Sequence, residues 1–186
     1  MTYIIILALI VIIGAIIAGI YNKLVRLRNT VKSAWSDIDV YLKKRFNLIP
    51  GLVETVKGYA KHEKEVFEKV TEARSRAMQA ASPGEAAESD NMLKSTLKSL
   101  FAVAEAYPDL KANQNFLEFQ KQFQEIEDSI EAARRYYNAV VRDFNILIES
   151  FPSNIIASMF NFKQEEFFQL DEPEEQRKPI RPDFTS

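Results

Sequence analysis

The chain has 186 residues, 47% of them hydrophobic and 27% charged, which suits one folded domain plus an appendage. A formal net charge of −2 argues against a dedicated nucleic-acid binder, because such a protein needs a basic surface to displace counterions. The count of 0 cysteines excludes disulfides, thiolate catalysis, thiolate-bound metals and cysteine lipidation. With only 5 glycines and 7 prolines, long uninterrupted elements are expected.

The first element is apolar. Ile4 to Ile20 read IIILALIVIIGAIIAGI, without a charged side chain, between Tyr3 and Tyr21. A membrane-spanning helix needs about 20 such residues, with a lower limit of ~17, and tyrosines favour its two interfaces. A cleaved signal sequence usually has a basic start and a shorter apolar core, so residues 1–21 are read as an uncleaved anchor. No lysine or arginine precedes the run, whereas Lys23, Arg26, Arg28 and Lys32 follow it before the first acid, Asp37. The excess of basic residues on that side predicts a single-pass protein of the cell membrane, N-terminus outside and the rest cytoplasmic. The four basic residues spread around their helix and lie where they can meet lipid headgroups.

Residues 22–162 read as a helical domain. Leu24, Leu27, Val31, Trp35, Ile38, Leu42 and Ile49 recur at helical steps, with no glycine or proline between Gly19 and Pro50, so the membrane helix continues into a soluble one. Pro50-Gly51 predicts a break, with one kinked rod as the alternative. A second helix is expected from Leu52 to Ala80, then a loop in AASPGEAAESD (80–90), and a third helix over about 86–107. The fourth, from Leu110 to Ser150, carries Phe116, Phe119, Phe123, Ile126, Ile130, Ala133, Tyr137, Val140, Phe144 and Leu147 in alternating steps of three and four, and Phe151 just past its end keeps the pattern. That pattern specifies a coiled-coil-like seam. Pro152 ends it, residues 153–162 form a short capping helix, and the charged, proline-containing 163–186 is read as a flexible tail. The expected fold is all-α: a single N-terminal transmembrane helix followed by an antiparallel bundle of about four long helices.

Chemistry is scarce in this sequence. His62 is the sole histidine, and although Glu63 follows it, a zinc-protease helix needs a second histidine at position 66, which is Val66. A two-metal bundle site needs paired Glu-x-x-His motifs, and position 59 is Tyr59. Neither a serine triad nor a glycine-rich phosphate loop is present, so no catalytic residue, metal site or cofactor is assigned. Lys43-Lys44-Arg45 is read as a solvated helix face. Asn138 and Asn145 lie one heptad apart beside the seam, as do Arg135 and Arg142. These four form either a register-fixing set or a polar groove for a partner. In the tail, Phe167, Phe168 and Leu170 beside acids form a candidate recognition segment, with packing back on the bundle as the plainer reading.

Long strings of the chain resemble the LemA family: residues 21–74, AYPDLKANQNFLEFQ (106–120), ARRYYNAVVRDFNILIESFPSNIIASMF (133–160) and the EEFF that follows. The resemblance implies a bacterial protein with an N-terminal membrane helix and an all-helical domain, and it brings no catalytic residues. The functional expectation is therefore non-enzymatic: a scaffold or adaptor for an unknown protein partner at the membrane, related to a protease or to envelope stress. A self-assembling, membrane-organising homo-oligomer is the alternative. A carboxylate-based enzyme and a small-ligand sensor are remote ones.

Overall fold

The computed structural model describes residues 1–168. All regular structure among them is helical: α1 (Thr2–Tyr59), α2 (Lys64–Gln79), α3 (Pro83–Glu105), α4 (Pro108–Lys111), α5 (Gln114–Glu149) and α6 (Ser153–Met159). The chain is thus all-α, with a long apolar N-terminal helix leading into an antiparallel bundle.

The 58 residues of α1 make a rod of about 87 Å. Its N-terminal part is long and apolar enough to cross a membrane, with a mean hydropathy of 3.1, and none of that stretch is buried. Its isoleucines and leucines from Ile4 to Ile16 stand open, as a lipid-facing helix requires. This fits a single-pass membrane anchor.

Pro50 does not end α1. A proline inside a helix costs about 3 kcal/mol, because it lacks the N–H that would bond the carbonyl four residues earlier. That carbonyl belongs to Phe46, and Arg74 of α2 donates its Nε–H to it at 2.8 Å. The next residue, Gly51, lets Phe119 of α5 pack against the rod, since a Cβ there would stand 2.8 Å from the ring's Cζ. The proline–glycine pair is therefore a docking point for two other helices. The break falls instead at Ala60–Glu63. There the apolar stripe lapses between buried Ala60 and buried Phe67, while Lys61, His62 and Lys64 face water.

Two further boundaries differ from the sequence reading. Residues 83–90 are helical, because Ser82 caps α3: its hydroxyl accepts from the Glu85 N–H at 3.2 Å, Glu85 accepts in return from the Ala81 N–H at 2.8 Å, and Pro83 takes the first turn. Asn113 likewise caps α5 by accepting from the Phe116 N–H at 3.1 Å, which separates the short α4 from the long seam helix.

The α5 seam buries Phe116, Phe123, Ile130, Tyr137 and Phe144, one per heptad, along the antiparallel α1. Tyr59 meets Asn113 at one end, Arg45 meets Glu127 midway, and Trp35 meets Tyr137 below. The α2–α3 hairpin covers only the distal part of α1: Lys57 lies over Phe67, and Arg45 meets Asp90. Nearer the membrane helix, α6 and an extended segment, 162–168, take its place. The molecule therefore has two storeys, a distal one of α1, α2, α3 and α5, and a proximal one of α1, α5, α6 and that segment.

Candidate functional site

The distal storey contains a buried ionic cluster. Arg45 is 0% exposed and Asp90 1%, an unusual place for an ion pair. Arg45 donates from Nη1 to Glu127 Oε1 at 2.7 Å and from Nη2 to Asp90 Oδ1. Lys94 closes the ring, 3.2 Å from Asp90 Oδ2 and 3.3 Å from Glu127 Oε2. Burial opposes the Arg45 charge, but the facing Asp90 and Glu127 outweigh it and hold its pKa above the ordinary arginine value. Two cations against two carboxylates leave the cluster neutral. What the cluster does is tie α1, α3 and α5 together at one height.

Beside it, α3 and α5 meet through side chains: Phe101 touches Phe116 and Phe123 at ring separations of 6.1 and 5.9 Å, and Lys94 reaches Glu127. Between the two helices lies an open groove of about 550 Å³. Leu97, Phe101 and Phe123 form its floor, and Lys98, Gln120, Gln124 and Glu127 its rim.

The proximal storey buries polar groups differently. Asn145 donates to the Glu165 carbonyl and accepts from the Glu165 N–H, both at 2.9 Å. Asn138 does the same to Phe168, at 3.0 and 2.9 Å. Each amide reads both backbone groups of one residue in an extended strand. Between them the Tyr137 hydroxyl donates to the Glu166 carbonyl at 2.7 Å. Its pKa is pushed up to about 12, first by burial and then by the charges of Glu165 and Glu166. Phe168 fills the gap beside Trp35, with 1% exposure.

A sequence model of the LemA family matches residues 34–184. The chain is 31% identical to Protein LemA of Metamycoplasma hominis over 84% of this chain and 72% of that protein. The chain belongs to the LemA family. It is also 25% identical to the magnetosome protein MamQ 2 of Paramagnetospirillum magneticum and 22% identical to the magnetosome protein MamQ of Magnetospirillum gryphiswaldense. In both cases the match covers 80% of this chain and 64% of the relative, so this chain spans somewhat under two thirds of those proteins. The LemA match includes the ionic cluster, the groove and both asparagines, and begins after the apolar run.

In this member of the LemA family the candidate residues fall in different places. Asn138 and Asn145 face a polar groove whose occupant is the chain's own segment. Arg135 and Arg142 lie outside it, exposed and paired with Glu131 at 2.5 Å and Asp143 at 3.3 Å. Phe168 is buried and Phe167 is 37% exposed, while Leu170 lies outside the described residues. The packing of the domain thus runs to Phe168, past the boundary expected at 162. Lys23, Arg26 and Lys32 are exposed, whereas Arg28 lies over the Phe162 ring at 4.9 Å. His62 sits in the exposed turn between α1 and α2 and not on a helix face. Of the basic run, Lys43 and Lys44 are solvated as expected, but Arg45 points into the core. Its position was available in the sequence: it lies three residues after Leu42 and four before Ile49, on the buried stripe.

Proposed function

We propose that this LemA protein is a non-enzymatic scaffold that holds a partner-binding bundle at a fixed height above the membrane, on its cytoplasmic side. The groove between α3 and α5 carries this reading. An apolar floor of Leu97, Phe101 and Phe123 inside a polar rim is the arrangement of a protein-binding surface. Lys98, exposed on the rim, suits an acidic residue on an amphipathic segment. The unbroken α1 supports the scaffold part: Tyr21 and Tyr59 belong to one helix, so the groove cannot swing freely on a linker. The basic residues after the apolar run support the orientation.

A photo-crosslinking residue placed at Lys98 in the full chain, in its native membrane, tests the reading. The expected product is one discrete adduct that is missing when the crosslinker stands at Lys69, an exposed site on α2 that does not line the groove. Adducts at multiples of the 21.4 kDa chain would favour self-assembly instead, and no adduct at Lys98 would remove the groove as a binding site. The topology is tested by thiol labelling, since the chain has no cysteine of its own. With an impermeant reagent on intact cells, Thr2→Cys should react and Ser82→Cys should not. The reverse pattern would place the bundle outside.

A further inference from the structure

The apolar run of α1 does not end clear of the folded domain. Ile16 is 52% exposed, but Ile17 and Ile20, in the last turn of the run, are partly covered and pack against the core cluster. The Tyr21 ring meets Phe160 at 4.7 Å and Phe162 at 6.0 Å. The α6 region therefore stands at the height where the membrane-crossing stretch ends.

Its surface is unlike the rest of the domain. Residues 150–162 contain no charged side chain. Ser153, Ile156 and Ala157 face the bundle. Phe151 (80% exposed), Ile155 (51%) and Met159 (68%), four residues apart, point away from it, with Phe160 beside them at 49%. In water such a patch is costly, and an interfacial helix buries one like it at the boundary between headgroups and acyl chains. Lys23 and Arg26, just past Tyr21, and Lys163, just past Phe162, stand exposed where phosphate groups would meet them.

We propose that α6 and its flanking turns are a second membrane contact, lying in the interface of the same bilayer that α1 spans, with Phe151, Ile155 and Met159 immersed. The occupant is lipid and not another protein, because the patch is continuous with the anchor: the helix that crosses the bilayer holds α6 at the bilayer surface through Tyr21. Two contacts on one rigid unit fix the tilt and rotation of the bundle, which a lone spanning helix leaves free. This inference rests on α1 being the anchor, and its test separates the two claims.

The absence of cysteine makes single-site labelling direct. The full chain carries an environment-sensitive fluorophore at Met159→Cys, Ile10→Cys or Lys98→Cys. It is reconstituted into phosphatidylcholine–phosphatidylglycerol vesicles that hold shallow or deep nitroxide lipids. Deep quenching is expected at Ile10, none at Lys98, and at Met159 quenching several-fold above Lys98 that is stronger with the shallow nitroxide. Quenching at Ile10 with Met159 equal to Lys98 would overturn the second contact and leave the anchor standing. An apolar emission shift at Met159 without nitroxide quenching would mean that protein covers the patch, which also overturns the proposal. Quenching at neither Ile10 nor Met159 would overturn both claims.

Discussion

The two storeys solve the same problem, how to hold helices in register through buried polar contacts, with opposite chemistry. The distal storey uses full charges, Arg45 against Asp90 and Glu127, with hardly any exposure of the first two. The proximal storey uses neutral amides and a phenol, Asn138, Asn145 and Tyr137, against a backbone strand. A buried charge cannot be left alone without a large loss, so the distal contact is close to all-or-none. A neutral amide–backbone pair can be exchanged for water at modest cost, so the proximal contact can open locally. The fold is therefore stiff in the distal storey and able to yield in the proximal one.

The largest expected effect comes from breaking the charge ring on one side. Asp90→Ala leaves Arg45 with Glu127 alone, and loss of one partner from a buried pair costs about 3–5 kcal/mol. Replacing the whole set together, Arg45→Met and Lys94→Met with Asp90→Leu and Glu127→Met, leaves no uncompensated charge. That variant is expected within about 1 kcal/mol of the native protein. Denaturant unfolding of both in mild detergent decides the matter. A single variant that costs no more than a surface substitution would show that the distal storey is not held by charge.

A smaller and more local effect is expected in the proximal storey. Asn138→Ala and Asn145→Ala each remove two hydrogen bonds of about 0.5–1.5 kcal/mol apiece. The loss falls on the docking of one strand. Hydrogen exchange at the amides of Glu165 and Phe168 should speed up about tenfold for each 1.4 kcal/mol lost, while α2 and α3 keep their native protection. If protection in α2 and α3 falls in step, the two storeys are one cooperative unit and the comparison fails.

The same contrast explains what could be read in the sequence. The α5 seam was legible because apolar residues in alternating steps of three and four, from Phe116 to Phe151, fit only a helical period. The membrane-length run was legible because composition alone carries it. Pro50-Gly51 misled because local rules favour a turn, and the groups that offset the proline, Arg74 and Phe119, lie far away in the chain. Ser82-Pro83-Gly84-Glu85 misled in the opposite way: small residues looked like a loop, although serine, proline and glutamate at that spacing form a helix cap. The charge ring was half legible. Arg45 and Asp90 each stand on an apolar stripe, Asp90 three residues before Leu93, but nothing local tells which opposite charge a buried one will meet. The two asparagines were visible as a pair, and their partner was not, because a backbone strand carries no side-chain signature.

Tyr137 gives the finest test, since alkaline pH should act on the strand that its hydroxyl holds. Its hydroxyl is protonated in the folded protein up to about pH 12, whereas an unfolded tyrosine ionises near ~10. A group whose pKa is raised by folding stabilises the fold fully below the unfolded value and loses that contribution as pH rises toward the folded one. The window is therefore from about pH 10 to about 12. Once ionised, the phenolate would face the Glu166 carbonyl as two acceptors, and the strand at 165–168 should detach. Arg45 keeps its charge through this window, because its pKa lies above the ordinary value. Exchange or limited proteolysis of the strand should thus rise with pH in the native protein before α2 and α3 respond. Tyr137→Phe should start with a slightly looser strand and show a flatter pH dependence. Equal slopes for the two proteins would mean that the phenol is a packing residue whose proton the fold does not use.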